Sequence, residues 1–288
     1  MPVSLADRIA AAPISWGVCE APDWGYEMPA ERVLSEMGSV GVRATELGPT
    51  GYLGDHSGQV RELLERHGLR LVGGFLPVVL HVEGTDLGEA DDAMATLADA
   101  GAEMVILAAR SVDGSYEHRV PLDDAEWRTL LGNLDRVRGL AGEHGLATSL
   151  HPHVGTAIEG REAVLRLLDS SDVPLCLDTG HLLIGGTDPL ELVRSTADRV
   201  AHVHLKDVRA SLAKTALEGS YVGAVRQGLY TPLGDGDLDI AGIVGALQAV
   251  GYQGWYVLEQ DCALDGAPWV GGGPVDDVRR SIEFLAKR

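Results

Sequence analysis

The sequence holds only three cysteines, Cys19, Cys176 and Cys262, and they are too far apart to form a C-x-x-C pair. A disulfide framework or structural zinc knot is not indicated, and a reducing cytoplasm is the expected location. Basic residues are also scarce: 23 Lys and Arg against 43 Asp and Glu give a formal charge of −20. Holding a nucleic-acid backbone or adhering to an anionic membrane needs the opposite balance. No apolar run approaches the ~20 residues of a membrane span. Asp7 and Arg8 precede the first strand-like segment, where a secretory signal would be apolar. H-E-x-x-H and G-x-S-x-G do not occur, which leaves zincin and serine-hydrolase chemistry without support. The dinucleotide fingerprint fails as well, because Gly234-x-Gly236 has Asp239 in the third glycine's place. Asp235, Asp237 and Asp239 imitate a calcium loop, but Ile240 and Ala246 replace its glycine and its bidentate Glu.

What is present is an alternation of short apolar runs with amphipathic stretches. Strands are expected at 12–18, 42–47, 70–76, 103–108, 146–151, 173–178, 200–205 and 256–259. Helical patterns lie between them, clearest over 123–144, where Trp127, Leu130, Leu131, Leu134, Val137 and Leu140 form one stripe. Asp188 and Pro189 mark another helix start. The segment from Lys206 to Gly236 is the one long irregular connection, and loops of that length are commonly lids. Eight strand–helix units in 288 residues predict a single α/β domain over 1–288, a (β/α)8 TIM barrel.

In such a barrel the chemistry sits at the carboxyl ends of the strands. Those ends read Glu46, Arg110, His151, Asp178, His204 and Glu259, with His153, His181 and Lys206 just beyond. His151, Asp178, His204 and Glu259 each end a different strand and together make a divalent-metal set. Their mix of imidazole and carboxylate favours manganese or cobalt, with zinc, iron or magnesium as alternatives. His202 shares a strand face with His204 one layer deeper and is either a core histidine or the rival ligand. Asp207 and groups near Thr179 are candidates to brace the imidazoles from behind. Cys176 shares a face with Asp178 and reads as barrel packing.

At these residues the sequence resembles the xylose-isomerase-like barrel superfamily of sugar-phosphate isomerases and epimerases. C-L-D-T-G-H at 176–181, H-V-H-L-K-D at 202–207 and P-L-G-D-G-D-L-D at 232–239 carry the likeness. The resemblance implies the same four metal ligands. Within the superfamily the chain is most similar to inosose dehydratases, through A-P-I-S-W-G at 12–17, T-E-L-G-P at 45–49 and H-P-H-V-G-T at 151–156. Epimerases of the superfamily carry Glu where this chain has His151, which implies a one-sided elimination and not a two-sided epimerisation.

The expected activity is a metal-dependent dehydration of a cyclic polyol ketone. Glu259 would take the α proton, His181 or His153 would protonate the departing hydroxyl, and Lys206 and Arg110 would hold the enolate charge. Glu46, Arg110, His153 and Lys206 would contact substrate. The alternatives are an isomerase or epimerase of the same fold, an abasic-site endonuclease and a non-catalytic polyol-binding barrel. The expected partners are a small polyol or sugar, with no nucleic acid and no membrane, and a homo-oligomer is allowed.

Overall fold

In the computed structural model, which describes residues 4–288, eight parallel strands close into a barrel. They are β1 (Ile9–Ala11), β2 (Ala44–Glu46), β3 (Arg70–Val78), β4 (Met104–Ala109), β5 (Ala147–Leu150), β6 (Leu175–Asp178), β7 (Val200–Leu205) and β10 (Tyr256–Leu258). The ring closes where Ala11 pairs with both Leu258 and Thr45. Helices α1 (Ala30–Ser39), α2 (Ser57–His67), α3 (Gly88–Asp99), α4 (Asp124–Glu143) and α5 (Arg161–Ser170) cover the first half. On the second half lie α6 (Thr179–Ile184), α7 (Pro189–Thr196), α10 (Ile240–Ala249) and α11 (Pro274–Leu285).

Local chemistry explains why these segments start where they do. Asp123 accepts from the amides of Ala125 and Glu126 while Glu126 reaches back to the Asp123 amide, so α4 begins with a complete capping box. Asp188 caps α7 ahead of Pro189. On α4 the buried face is Trp127, Leu130, Asn133, Leu134, Val137 and Ala141, so most of the expected stripe points inward. The Asn133 amide belongs there because it donates to the carbonyls of Leu80 and Val82.

Inside the barrel the base is filled by small residues, Ala10, Ala12, Ala44, Val72 and Val257. Polar side chains from β2, β5, β6 and β7 occupy the layers above. Alternation along β7 points His202 and His204 the same way, and Asp178 on β6 stands directly opposite His204 in the register.

Two expectations are corrected. Residues 13–16 form a 3-10 turn, because Pro13 starts it and Gly17 ends it at φ 80°, so the first strand lies just ahead of the expected 12–18, at Ile9–Ala11. The segment from Lys206 to Gly236 is also ordered. It contains α8 (Ala210–Glu218), α9 (Tyr221–Arg226) and an antiparallel pair, β8 (Asp207–Val208) with β9 (Tyr230–Thr231). Val208, Ala216, Tyr221, Ala224, Val225, Leu229 and Tyr230 bury each other against Trp24, Val154 and Ile184, forming a second core above the barrel.

Asp207 ties that segment down. Fully buried, its carboxylate accepts from the amides of Val208 (2.9 Å), Gly234 (2.8 Å), Gly236 (3.1 Å) and Leu238 (3.1 Å). This accounts for the glycines of P-L-G-D-G-D-L-D: a Cβ on Gly236 would stand 2.2 Å from Asp207 Oδ1. Asp207 therefore faces away from the imidazoles it was expected to brace. Asp207→Ala leaves several buried amides without an acceptor, and hydrogen bonds to a charged group are worth ~1.5–3 kcal/mol each. Urea unfolding of this variant is expected to show a loss of about 3 kcal/mol or more, and an unchanged midpoint would contradict the role.

Candidate metal centre at the barrel mouth

The carboxyl ends of the strands open into a cavity of about 360 Å³, lined at its polar end by Glu46, His151, His153, His204, Lys206 and Glu259. Pockets that enclose small ligands fall in this size range. The opposite wall is apolar and includes Pro49, Leu53, Phe75 and Leu76.

Asp178, His204 and Glu259 bring their donor atoms close together, and His151 reaches the same group through Asp178. Asp178 Oδ2 lies 3.2 Å from His151 Nε2 and 3.5 Å from His204 Nδ1, and Glu259 Oε2 lies 3.2 Å from His204 Nδ1. Donors bound at ~2.0–2.2 Å to a single ion sit roughly 3 to 3.6 Å from one another, which is the spacing found here. His151 Nε2, Asp178 Oδ2 and His204 Nδ1 are buried and have no hydrogen-bond partner. Buried polar atoms are seldom left in that state without a reason. The residues present fit a divalent ion. Asp178, His204 and Glu259 form one group of close donor atoms, and His151, Asp178 and His181 form another that shares Asp178.

The atoms behind the donors fix their orientation. Glu46 Oε1 accepts from His204 Nε2 at 2.9 Å and from His202 Nε2 at 2.7 Å. That bond keeps a proton on His204 Nε2 and turns Nδ1 toward Asp178 and Glu259. His202 thus shares Glu46 with His204, and these three side chains also bring their donor atoms close together. Glu46, expected on substrate hydroxyls, is committed instead to the two imidazoles, although it also reaches the cavity wall. Thr179 donates to the Lys206 carbonyl (2.6 Å) and accepts from its amide (2.8 Å), so it staples the end of β6 to the end of β7 and does not brace an imidazole.

The charges follow from this packing. Burial alone would raise Glu259, but His204 and Lys206 beside it pull its pKa down to about 2. Burial opposes charge on His204, yet neighbouring anions, Glu259 and Glu46 among them, hold its pKa well above the usual range. His151 goes the other way: burial lowers its pKa, leaving a neutral ring with a free lone pair.

Lys206 is fully enclosed. Its Nζ contacts Asp261, lies 2.7 Å from Glu259 Oε2 and 3.7 Å from Asp178 Oδ2, and stands over the Tyr230 ring at 5.3 Å. Gly180 makes room for it, since a Cβ there would come within 2.8 Å of both Lys206 Cβ and Tyr230 Cε1.

Other expected residues stand apart or act differently. Arg110 is exposed and does not line the cavity, so it is not placed to hold an enolate. His153 and His181 stack with ring centroids 3.8 Å apart. Burial pushes His153 down to about 3, with His151 adding to the effect, and pushes His181 well below its usual pKa, with His153 adding to it. Neither therefore carries an imidazolium proton near neutrality, which corrects their assignment as the acid for the departing hydroxyl. His181 Nδ1 accepts from the Val154 amide at 3.4 Å, leaving its Nε2–H free to donate. Cys176 is wholly buried, its thiol pushed up to about 11, as expected of packing.

Asp261 and Tyr221, missed from the sequence, also line the cavity. Asp261 continues the alternation of Glu259 two residues on, a signal that was available. Tyr221 lies in the segment read as irregular.

The Xylose isomerase-like TIM barrel family model matches residues 34–288. An inosose dehydratase of Geobacillus thermodenitrificans (strain NG80-2) is 34% identical over 275 residues, covering 89% of this chain and 91% of that one. The rhizopine catabolism protein MocC of Rhizobium meliloti is 34% identical over 270 residues, covering 89% and 82%. Among solved structures, the probable 3-DHS dehydratase of petrobactin synthesis from Bacillus anthracis superposes with a TM-score of 0.71 at 14% identity, covering 98% and 99%. A D-allulose 3-epimerase from Methylomonas sp. gives 0.69 at 17%, covering 98% and 96%. These two likenesses concern the fold.

Proposed function

Because the chain belongs to the xylose isomerase-like TIM barrel family, we propose that it dehydrates a cyclic polyol ketone of the inosose type, using one divalent ion. It is an enzyme of the lyase or isomerase/epimerase type. The observation that favours the lyase is the asymmetry of the donor set. Glu259 supplies a glutamate on one side, and His151 stands where a second would be needed for opposed proton transfers. The relatives named inosose dehydratase support the substrate class.

His151, Asp178, His204 and Glu259 would hold the ion, with manganese or cobalt suited to two imidazoles and two carboxylates. Once bound, the ion supplies Lewis acidity that polarises the ketone oxygen and acidifies the neighbouring C–H. Glu259 takes the α proton. The Lys206 ammonium holds the enolate charge and protonates the departing β-hydroxyl, which leaves as water. The 2.7 Å contact between Lys206 Nζ and Glu259 Oε2 then returns the proton to the lysine, so both groups end as they began. His153 and the Nε2–H of His181 bind substrate hydroxyls. The assay is absorbance of the hydroxyenone, the enol form of the 1,2-dione, made from scyllo-inosose, with and without a chelator. Undiminished turnover in the metal-stripped protein would end this reading, and interconversion of free ketohexoses without water loss would favour the epimerase.

The charge of −20 weighs against an abasic-site endonuclease, since no excess of Lys and Arg is there to hold a phosphate backbone. No helix among the described residues is long and apolar enough to cross a membrane.

Metal uptake is expected to release about one proton. His204 keeps its proton in the metal-free site, and a cation at Nδ1 must displace it. Affinity therefore rises with pH. Calorimetric titration with manganese in two buffers of different ionisation enthalpy reads the effect, and identical heats would remove His204 from the ligand set.

A further inference from the structure

Tyr221 belongs to the second core above the barrel, yet its hydroxyl reaches the site. It donates to Asp261 Oδ2 at 2.6 Å and lies 3.0 Å from the Tyr230 hydroxyl. Asp261 Oδ1 in turn accepts from Lys206 Nζ, whose other close carboxylate is Glu259. All five side chains are buried. Asp261 is thus a buried carboxylate outside the donor set, holding the one ammonium that touches it.

The need for such a hold follows from charge. A divalent cation among His151, Asp178, His204 and Glu259 repels an ammonium 2.7 Å from one of its donor oxygens. The two also compete for Glu259 Oε2. An anion on the far side of Lys206 offsets that repulsion, provided it is itself fixed. The Tyr221 hydroxyl does the fixing. The backbone of α9 is held in its turn: Glu117 accepts from the amides of Tyr221 (2.9 Å) and Val222 (3.2 Å) and from the Ser220 hydroxyl (3.1 Å).

We propose that Tyr221, acting through Asp261, is a positioning residue that holds the Lys206 ammonium over the cavity so that a metal can share Glu259 with it. This rests on the metal-dependent reading above, but its test does not depend on the substrate. The segment from Lys206 to Gly236 thereby serves the site as a brace. Its sequence carries the tyrosine that the eight barrel strands do not supply.

The test is a double-mutant cycle of Tyr221→Phe with Lys206→Met, chosen because the tyrosine change alters no charge and keeps the ring. Cobalt binding is read by absorbance titration, and kcat and KM are measured with scyllo-inosose. Circular dichroism checks each fold, and Lys206→Gln stands in if the methionine variant misfolds. With Lys206 present, Tyr221→Phe is expected to weaken cobalt binding at least threefold and to lower kcat about tenfold with KM within twofold. In the Lys206→Met background the same change is expected to leave cobalt affinity unmoved. A Tyr221→Phe effect on cobalt of equal size in both backgrounds, or none in either, overturns the proposal. Coupling in the cobalt cycle without any turnover of inosose by the wild type would uphold this inference and defeat only the substrate assignment.

Discussion

Asp178→Asn is expected to cut metal-dependent turnover at least about a thousandfold while the protein stays folded. Asp178 divides its two oxygens between separate tasks. Oδ1 accepts from the His181 amide at 2.8 Å and starts α6, whereas Oδ2 has no partner and lies within 3.5 Å of both His151 Nε2 and His204 Nδ1. Asparagine keeps an oxygen for the cap and replaces the free one with an amide nitrogen, which is a donor and not a ligand. The variant separates the metal from the architecture. Losing Lewis-acid stabilisation removes several kcal/mol from the transition state, and each 1.36 kcal/mol is a factor of ten in rate. Elemental analysis, melting temperature and kcat with added manganese together give the answer. Wild-type metal content in the asparagine variant would remove Asp178 from the centre.

The second large effect is expected at Lys206. Lys206→Met should lower kcat about 10²–10⁴-fold, the range typical of a lost proton donor, with a smaller change in KM. It should also destabilise the metal-free protein. Asp261 and Glu259 lose their shared cation, and stranding a buried charge costs ~3–5 kcal/mol. Part of that loss should return on adding metal, because an ion that binds only the folded chain stabilises it by mass action. The same urea titration, run with and without manganese, reads both halves. A methionine variant with unchanged kcat would leave the proton return through Glu259 without its carrier.

Much of this was legible in the sequence, and the legible parts share a cause. The strand Val200–Leu205 has its expected bounds because an apolar run there ends abruptly in Lys206 and Asp207. The four candidate donors could be named because a parallel barrel turns strand ends toward its mouth. The partners across the barrel could not be named. Glu46 sits at a strand end like a substrate contact, and nothing in T-E-L-G-P says that two histidines more than 150 positions later occupy it. Arg110 follows the last residue of β4, but it is exposed and does not line the cavity, which spacing does not record. The residues 12–18 fit a strand by composition, and it was the backbone preferences of Pro13 and Gly17 that turned the chain. The Lys206–Gly236 segment reads from the sequence as one long irregular connection, and the structure shows it ordered. In fact Gly234 and Gly236 bring backbone amides onto a buried carboxylate, and 210–217 has Leu212, Ala213, Ala216 and Leu217 at helical spacing.

The close approach at Gly180 ties the evolution of two motifs together. A side chain at that position would collide with the stem of Lys206 and the edge of Tyr230, so D-T-G-H and H-V-H-L-K-D cannot drift independently. A descendant of this chain with alanine at 180 should carry a smaller residue at 230, since Lys206 is needed for turnover, and in laboratory selection the two changes should arise as a pair.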